Sequence, residues 1–403
     1  MNILHINTTD TSGSAIAAKR LSAGLIKSGI ESQLLVLDKS GRGEANVLSF
    51  FGADSSKLSK TNNLLRRHLL PSWYGYKMNI ENPNENTFTF PKTLIDITTH
   101  PAYSTADIIH FHNVADFVNI SSFFEKNTKP LVWTLHDFNP FTGGNHLPID
   151  LNEQNSKYKK LWSKNFNIKF NAYRKVKNFA IAAPSRWIMK EAEISGMFDG
   201  LEIRHIPNGV DTLQFKPYPK EFAKSIFQIP ENGKKNILFI ADDHRLKNKG
   251  SADFLIIYEA LKDNYNFIVV GNGSNDKTFN RDGIIQLGYI NSDYLLPMIY
   301  NAADICIVLS QVESFSLITL ESLACGVPVV AYSSGGPDEL IIHSKNGFII
   351  EKNNTTEFIS AIYKLLIDDL LYQGMKSSAV ESAQNYDIKK ISAKYIELYN
   401  SVL

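Results

Sequence analysis

Short apolar runs alternate with longer amphipathic stretches along the first half of the chain: Ile3 to Ile6, then Ala15 to Ser28, then Gln33 to Leu37, with later runs at Ile108 to Phe111, Leu131 to Thr134 and Phe179 to Ala183. Runs of this length read as buried strands, and apolar residues recurring every three or four positions read as helices. A second series follows: Asn236 to Ile240, a helix from Ala252 to Lys262, Phe267 to Val270, Ile284 to Leu287, Ile305 to Leu309, a helix from Ser316 to Ala324, and Val327 to Ala331. Strand and helix alternating in this way predict an α/β fold with parallel sheets, here two independent ones.

Between the two series lies Ile206-Pro207-Asn208-Gly209-Val210-Asp211, whose proline and Asn-Gly pair break regular structure near mid-chain. The boundary is expected between Pro184 and Pro217, dividing the chain into residues 1–200, residues 201–383 and a terminal helix at 384–403 that packs back on the first domain. In the tail, Ile391, Tyr395, Leu398 and Tyr399 share one helical face. Two domains also suit 403 residues, because single cores stop growing beyond about 250–300 residues. No internal repeat and no low-complexity tract interrupts the pattern.

Composition narrows the class without naming a function. Hydrophobic residues make up 43% and charged residues 21%, ordinary for a globular α/β protein. A formal net charge of +1 gives no global attraction for nucleic acid, and none is expected as a partner. Cys306 and Cys325 both sit inside apolar runs, as reduced core cysteines do. The start of the chain lacks the basic and long apolar regions of a secretory signal, and no window reaches the roughly 18 apolar residues of a membrane span. The expected location is cytoplasmic.

The segment richest in chemistry runs from Glu313 through Ser314-Phe315-Ser316-Leu317-Ile318-Thr319-Leu320 to Glu321, continuing Ser322-Leu323-Ala324-Cys325-Gly326-Val327-Pro328-Val329-Val330-Ala331. A strand ending at Leu309 feeds a loop holding Glu313, and Ser316 is suited to cap the helix that carries Glu321. Ligands of open α/β sheets bind beyond the carboxyl ends of the strands. The free amides of Ser316, Leu317 and Ile318 would there form an anion site fit for a diphosphate, with two carboxylates beside it to accept sugar hydroxyls. Taken singly, both glutamates also read as exposed surface residues.

The segment resembles the E-x7-E signature of retaining glycosyltransferase family 4, whose members have the GT-B fold: two Rossmann-like domains with parallel sheets facing an interdomain cleft. The usual continuation A-x-G-x-P-V-V-A is matched almost throughout, with Ser316 where glycine is usual, a departure that looks mild because serine is small. Gly335-Gly336-Pro337-Asp338-Glu339-Leu340 resembles the next turn. The resemblance implies that Glu313 contacts the donor sugar, Glu321 the nucleotide ribose, and the amides near Phe315, Ser316 and Leu317 the phosphates. No metal and no cofactor beyond the nucleotide-sugar donor is implied.

Upstream, Ala241-Asp242-Asp243-His244-Arg245-Leu246-Lys247-Asn248-Lys249-Gly250 occupies the place of a family loop reading G-R-x-x-x-x-K-G. Lys249-Gly250 matches and the arginine does not. A cation is needed against a leaving diphosphate. Lys249 is assigned that role, with Arg245 the candidate replacement for the missing arginine.

In the first domain, Gly13 and Ser14 lie in a small-residue loop after the first strand, similar to the family's glycine-rich first loop. Leu131-Val132-Trp133-Thr134-Leu135-His136-Asp137-Phe138, running on to Gly143-Gly144-Asn145-His146, resembles a subgroup acting in bacterial polysaccharide synthesis, in which a histidine faces the donor sugar. His136 matches it. Many of that subgroup carry cysteines after the Gly-Gly turn, and this chain has none there. His110 and His112 stand at strand spacing on one face, and with His136 they are not assigned a zinc ion.

Two stretches mix basic and aromatic residues: Lys157 to Lys177, with Trp162, Phe166, Phe170 and Tyr173, and Leu64 to Tyr74. Such a pattern suits peripheral contact with an anionic bilayer, and equally a solvated helix with core-facing aromatics. The expected activity is hexosyl transfer from a UDP- or GDP-sugar to a glycan or lipid-linked acceptor. Alternatives are a non-catalytic scaffold that kept the fold, and a nucleotide-sugar epimerase or phosphorylase. A nicotinamide dehydrogenase needs a G-x-G-x-x-G at a first βα turn, which Thr11 to Ala17 does not supply.

Overall fold

The computed structural model describes residues 1–40, 45–51, 88–290 and 292–403. The basic-aromatic stretch from Leu64 to Tyr74 lies outside them. The chain forms two compact units, one of Met1–Pro207 with Ile391–Leu403, the other of Asn208–Lys390.

The first unit is built on a parallel sheet of β1 Asn2–Thr9, β2 Glu31–Asp38, β3 Val47–Ser49, β4 Ile108–Phe111, β5 Leu131–Thr134, β6 Phe179–Ala183 and β7 Glu202–His205, in the order 3-2-1-4-5-6-7. Its helices among the described residues are α1 Gly13–Lys27, α2 Pro101–Thr105, α3 Ile120–Lys126, α4 Ser156–Tyr173 and α5 Arg186–Ile194. Strand alternation separates two apolar layers. Ile109, Phe111, Leu131 and Trp133 face one, while Ile3, Ile108 and Val132 face the other. The second layer is covered by Ile391, Tyr395, Leu398, Tyr399 and Val402 of the last helix, all buried.

The second unit repeats the plan. Its strands β8 Lys235–Asp243, β9 Tyr265–Asn272, β10 Ile284–Gly288, β11 Ile305–Val308, β12 Val329–Tyr332 and β13 Gly347–Ile350 pair in the order 10-9-8-11-12-13. Its helices are α6 Lys220–Ile226, α7 Ser251–Leu261, α8 Leu296–Ala302, α9 Leu317–Ala324, α10 Pro337–Leu340, α11 Thr355–Ile367 and α12 Asp369–Ala383; the final α13, Ile388–Val402, returns to the first unit. In each sheet the strand order reverses direction once, between β1 and β4 and between β8 and β11. A crevice opens at such a switch point, because the connections leave to opposite sides.

Candidate functional site

In the second unit the loops leaving β8 and β11 meet at the switch point. Gly250 adopts φ 78, and a Cβ there would run into the Leu309 carbonyl, so only glycine lets the β8 loop lie this close. The Gln311 amide donates to the Asn248 carbonyl at 2.8 Å and locks the two loops together. That contact carries Lys249 to Glu313, with Nζ 2.8 Å from Oε1 and 3.6 Å from Asp242 Oδ1. The side chains of Lys249 and Glu313 are only 16% and 18% exposed. Burial works against the charge on Lys249, but Glu313 and Asp242 outweigh it and hold the ammonium above the usual lysine range.

Glu313 is itself held by the turn after β12. Its amide donates to the Ser334 carbonyl at 2.9 Å, and the Gly336 amide donates back to its carbonyl at 2.8 Å. Asp338 closes that turn by accepting from the amides of Ser334 and Gly335. A Cβ on Gly336 would collide with the Phe315 backbone. Phe315 contributes its ring to the core, which leaves its backbone for the site.

Ser316 caps α9, its hydroxyl accepting from the Thr319 amide at 3.3 Å. It does so at φ 78, in the left-handed region. The usual glycine is therefore a matter of backbone conformation, not of side-chain size, and serine is a strained substitute. The first amides of α9, including Leu317, have no partner within the helix. One turn on, Glu321 is buried, and its Oε2 accepts from the Tyr300 hydroxyl at 2.7 Å. Neither glutamate is a solvated surface residue. Two carboxylates and a cation withdrawn from water beside a helix N-terminus are a costly arrangement of the kind found at functional sites.

Arg245 is not brought to this cluster. Its guanidinium grips Asp243 through Nε at 2.8 Å and Nη2 at 2.6 Å, and its side chain is 70% exposed. With His244, Ser251, Gly273 and Asp276 it lines a separate cavity of about 260 Å³. At the family's arginine position His244 is buried, its Nε2 bonded to the Val270 carbonyl at 2.9 Å.

In the first unit, Ser12 caps α1 and shares a 2.9 Å hydrogen bond with Ser14. A Cβ on Gly13 would meet nothing within 4 Å, so the loop is open on that side. His136 follows β5 and is part-buried, with Nε2 2.8 Å from His112 Nδ1. His112 Nε2 lies in turn 2.9 Å from His5 Nδ1. His110, its ring centroid 4.3 Å from that of His112, is fixed by the Tyr399 hydroxyl and by Thr134, each at 2.8 Å. Burial lowers the pKa of every member of this ladder, His5 to about 3 and His136 to about 4. His5, His110 and His112 are also close enough to share a metal ion. Every nitrogen of the three except His5 Nε2 is already engaged in a hydrogen bond.

The loop from Asp137 to His146 is braced internally by a 2.7 Å contact between Asp137 Oδ2 and His146 Nδ1. From beneath, the buried Lys169 of α4 donates to the carbonyls of Asn139 at 2.5 Å and Thr142 at 3.2 Å. Burial lowers the Lys169 pKa to about 7, with Asp137 opposing. Lys169 thus faces inward on the helix that its neighbours Lys157, Lys159, Lys160 and Lys164 leave exposed. Phe166 and Phe170 pack half-buried against the core. No helix among the described residues is long and apolar enough to cross a membrane.

A D-inositol 3-phosphate glycosyltransferase from Acidothermus cellulolyticus is 27% identical over 234 residues, 48% of this chain and 52% of that protein. A UDP-Gal:alpha-D-GlcNAc-diphosphoundecaprenol alpha-1,3-galactosyltransferase from Escherichia coli is 26% identical over 255 residues, 56% of this chain and 63% of its own length. The chain spans about half the length of the curated relatives it matches. The crystal structure of HepE from Anabaena, in complex with UDP, superposes with a TM-score of 0.67 at 18% identity, covering 100% of both chains, a likeness of fold. The paired Rossmann-like units are those of the GT-B class. Residues 221–382 match the family profile described as Glycosyl transferases group 1, and residues 11–214, just over half the chain, match Glycosyltransferase Family 4. The chain belongs to glycosyltransferase family 4.

Proposed function

We propose that the protein is a retaining glycosyltransferase that moves a hexose from a nucleoside-diphosphate sugar, UDP- or GDP-linked, to a glycan or lipid-linked acceptor in bacterial surface polysaccharide synthesis. The observation that carries this reading is the withdrawn Lys249–Glu313 pair beside the amides that open α9. A cation next to unpaired helix amides suits a diphosphate. On donor binding Lys249 exchanges Glu313 for phosphate oxygen and stabilises the charge that develops as the glycosidic bond breaks. Glu313 then accepts a hydroxyl of the sugar, while Glu321, oriented by Tyr300, accepts from the ribose. The acceptor hydroxyl attacks on the face the nucleotide leaves, and its proton passes to the departing phosphate. No divalent metal is required in this scheme.

The crystal structures of HepE with UDP and with UDP-glucose support a nucleotide-sugar donor. The Escherichia coli relative, named for a diphosphoundecaprenol acceptor, supports a lipid-linked one. Action at the cytoplasmic face of the inner membrane belongs to the same reading, with the exposed Lys160 and Lys164 of α4 as the cations that would face anionic lipid.

The test is calorimetric titration with UDP, GDP, ADP and CDP, with and without Mg²⁺, followed by a transfer assay using the matching nucleotide sugars and NMR of the product's anomeric centre. One diphosphate should bind without metal, weaken in Lys249→Ala and Glu321→Ala, and its sugar should be transferred with retention. If no nucleotide binds, the chain is a scaffold that has kept the fold.

A further inference from the structure

Asp242 owes its place beside Lys249 to an irregularity in β8. That strand pairs with β9 as far as Ile240 and Val270, and pairing resumes at Asp243 and Asn272, so β8 advances from 240 to 243 while β9 advances only from 270 to 272. An extra residue on one strand is a β-bulge, which interrupts the pairing and re-aims a side chain. The bulge packs on Gly271, at φ 134, where a Cβ would collide with the Ala241 carbonyl. Asp242 is thereby turned out of the pairing, with Oδ1 3.6 Å from Lys249 Nζ. Its neighbour Asp243 rejoins the sheet and is taken by Arg245, which donates to Oδ1 at 2.8 Å and to Oδ2 at 2.6 Å. Lys249 therefore has two carboxylates in unlike settings: Glu313 at 2.8 Å, its side chain 18% exposed, and Asp242, its side chain 63% exposed.

Transfer leaves Lys249 facing a stronger anion than the one it first bound. Once the sugar has gone, the terminal phosphate of the nucleotide is no longer esterified and gains negative charge, so it attracts the ammonium more strongly than the donor did. In the scheme above Glu313 is occupied by a sugar hydroxyl, whereas Asp242 has no substrate group assigned to it. A solvent-facing carboxylate within reach of the ammonium is the remaining counter-charge to which Lys249 can return.

We infer that Asp242 is a positioning residue for Lys249: it draws the ammonium back from the spent diphosphate and so speeds release of the nucleotide product. The release role rests on the reading of Lys249 as the cation at the donor diphosphate; the pull on Lys249 rests on the geometry of the cluster alone.

Calorimetric titration of the full chain with UDP, GDP and inorganic pyrophosphate, together with steady-state transfer kinetics, tests both parts. Asp242→Asn should tighten diphosphate and pyrophosphate binding by about two- to fivefold, the range of an exposed ion pair. It should lower kcat and donor KM by similar factors, because release is slowed while capture is not. Asp242→Glu, which keeps the carboxylate, should behave as wild type. The gain in affinity should vanish in a Lys249→Ala background, since Asp242 acts through that ammonium. It should also shrink as ionic strength rises, because an exposed charge is screened. Unchanged affinity in Asp242→Asn, a gain that persists without Lys249, or a kcat that does not fall overturns the inference. If pyrophosphate shows the Lys249-dependent gain while neither UDP nor GDP binds, the donor reading falls and nucleotide release with it, and the pull of Asp242 on Lys249 stands.

Discussion

The ammonium of Lys249 lies 2.8 Å from Oε1 of Glu313, a partner 64 residues further along the chain. Each depends on the other, because a buried charge whose partner is removed is strongly destabilising. The two should nevertheless respond oppositely to ligand. Lys249→Ala is expected to weaken nucleoside-diphosphate binding and transfer at least about tenfold, since it deletes the cation facing the leaving group. Glu313→Gln is expected to cut transfer by a similar factor while leaving diphosphate affinity equal or tighter, because Lys249 no longer has a competing carboxylate. Calorimetry and initial rates on both variants check this. Equal loss of diphosphate affinity in both would remove the exchange of partners from the scheme.

Ser316 stands at φ 78, a conformation costing a non-glycine residue roughly 1–2 kcal/mol. Replacing a capping serine by glycine loses only about a few tenths of a kcal/mol. Ser316→Gly should therefore stabilise the second unit by about 1 kcal/mol, whereas Ser316→Ala, keeping the strain and losing the cap, should destabilise it by about the same amount. Denaturant titration of both variants decides it, and a destabilised glycine variant would show that the cap outweighs the strain.

Gly336→Ala places a methyl group on the Phe315 backbone, where no flexible side chain can yield. The loop holding Glu313 must shift, at a cost of about 1–3 kcal/mol typical of overpacking. Diphosphate affinity should fall at least about tenfold, with far-ultraviolet circular dichroism unchanged at 25 °C. Gly374→Ala, which meets open space on α12 of the same unit, is the control for mere loss of a glycine.

The ladder also makes an acid-stability prediction. His5 titrates near 3 and His136 near 4 in the folded chain, against about 6.5 when unfolded. Between pH 6.5 and 4 the unfolded chain binds protons that the folded chain does not, so stability falls as pH drops through that window and is flat above it. Each such histidine adds a slope of about 1.4 kcal/mol per pH unit where it titrates fully. Urea unfolding at pH 5 and pH 7 should show a smaller loss for His5→Phe than for wild type. Identical losses would mean that His5 is protonated in the folded state.

Much of this architecture is legible from one dimension. β4, β5 and β6 coincide with apolar runs read directly from the chain, because strands buried on both faces are near-continuously apolar, with His110 the exception inside β4. β3, β7 and β13 are short and lie at sheet edges, and three of the four residues of β7, Glu-Ile-Arg-His, are polar, so no apolar run marks it. For the site, local motifs located Glu313, Ser316, Glu321 and Lys249. They could not show that Lys249 and Glu313 meet, nor that Asp242 joins them. Ser316 was judged by volume when its dihedral mattered. The stretch from Lys157 to Lys177 reads as one basic-aromatic run, yet the spacing of Lys169 with Asn165, Ala172 and Tyr173 marks the buried stripe of α4. His5 gave no local signal, since a histidine within an apolar run is usually core.

The last helix has a consequence for how the molecule is made. Tyr395 and Tyr399 roof His110 of the first sheet, yet they leave the ribosome only after every residue of the second unit. The nascent first sheet must wait with His110 and its apolar neighbours uncovered while the second unit is synthesised. Order of synthesis and order of completion are thus opposed: the sheet that begins first is finished last.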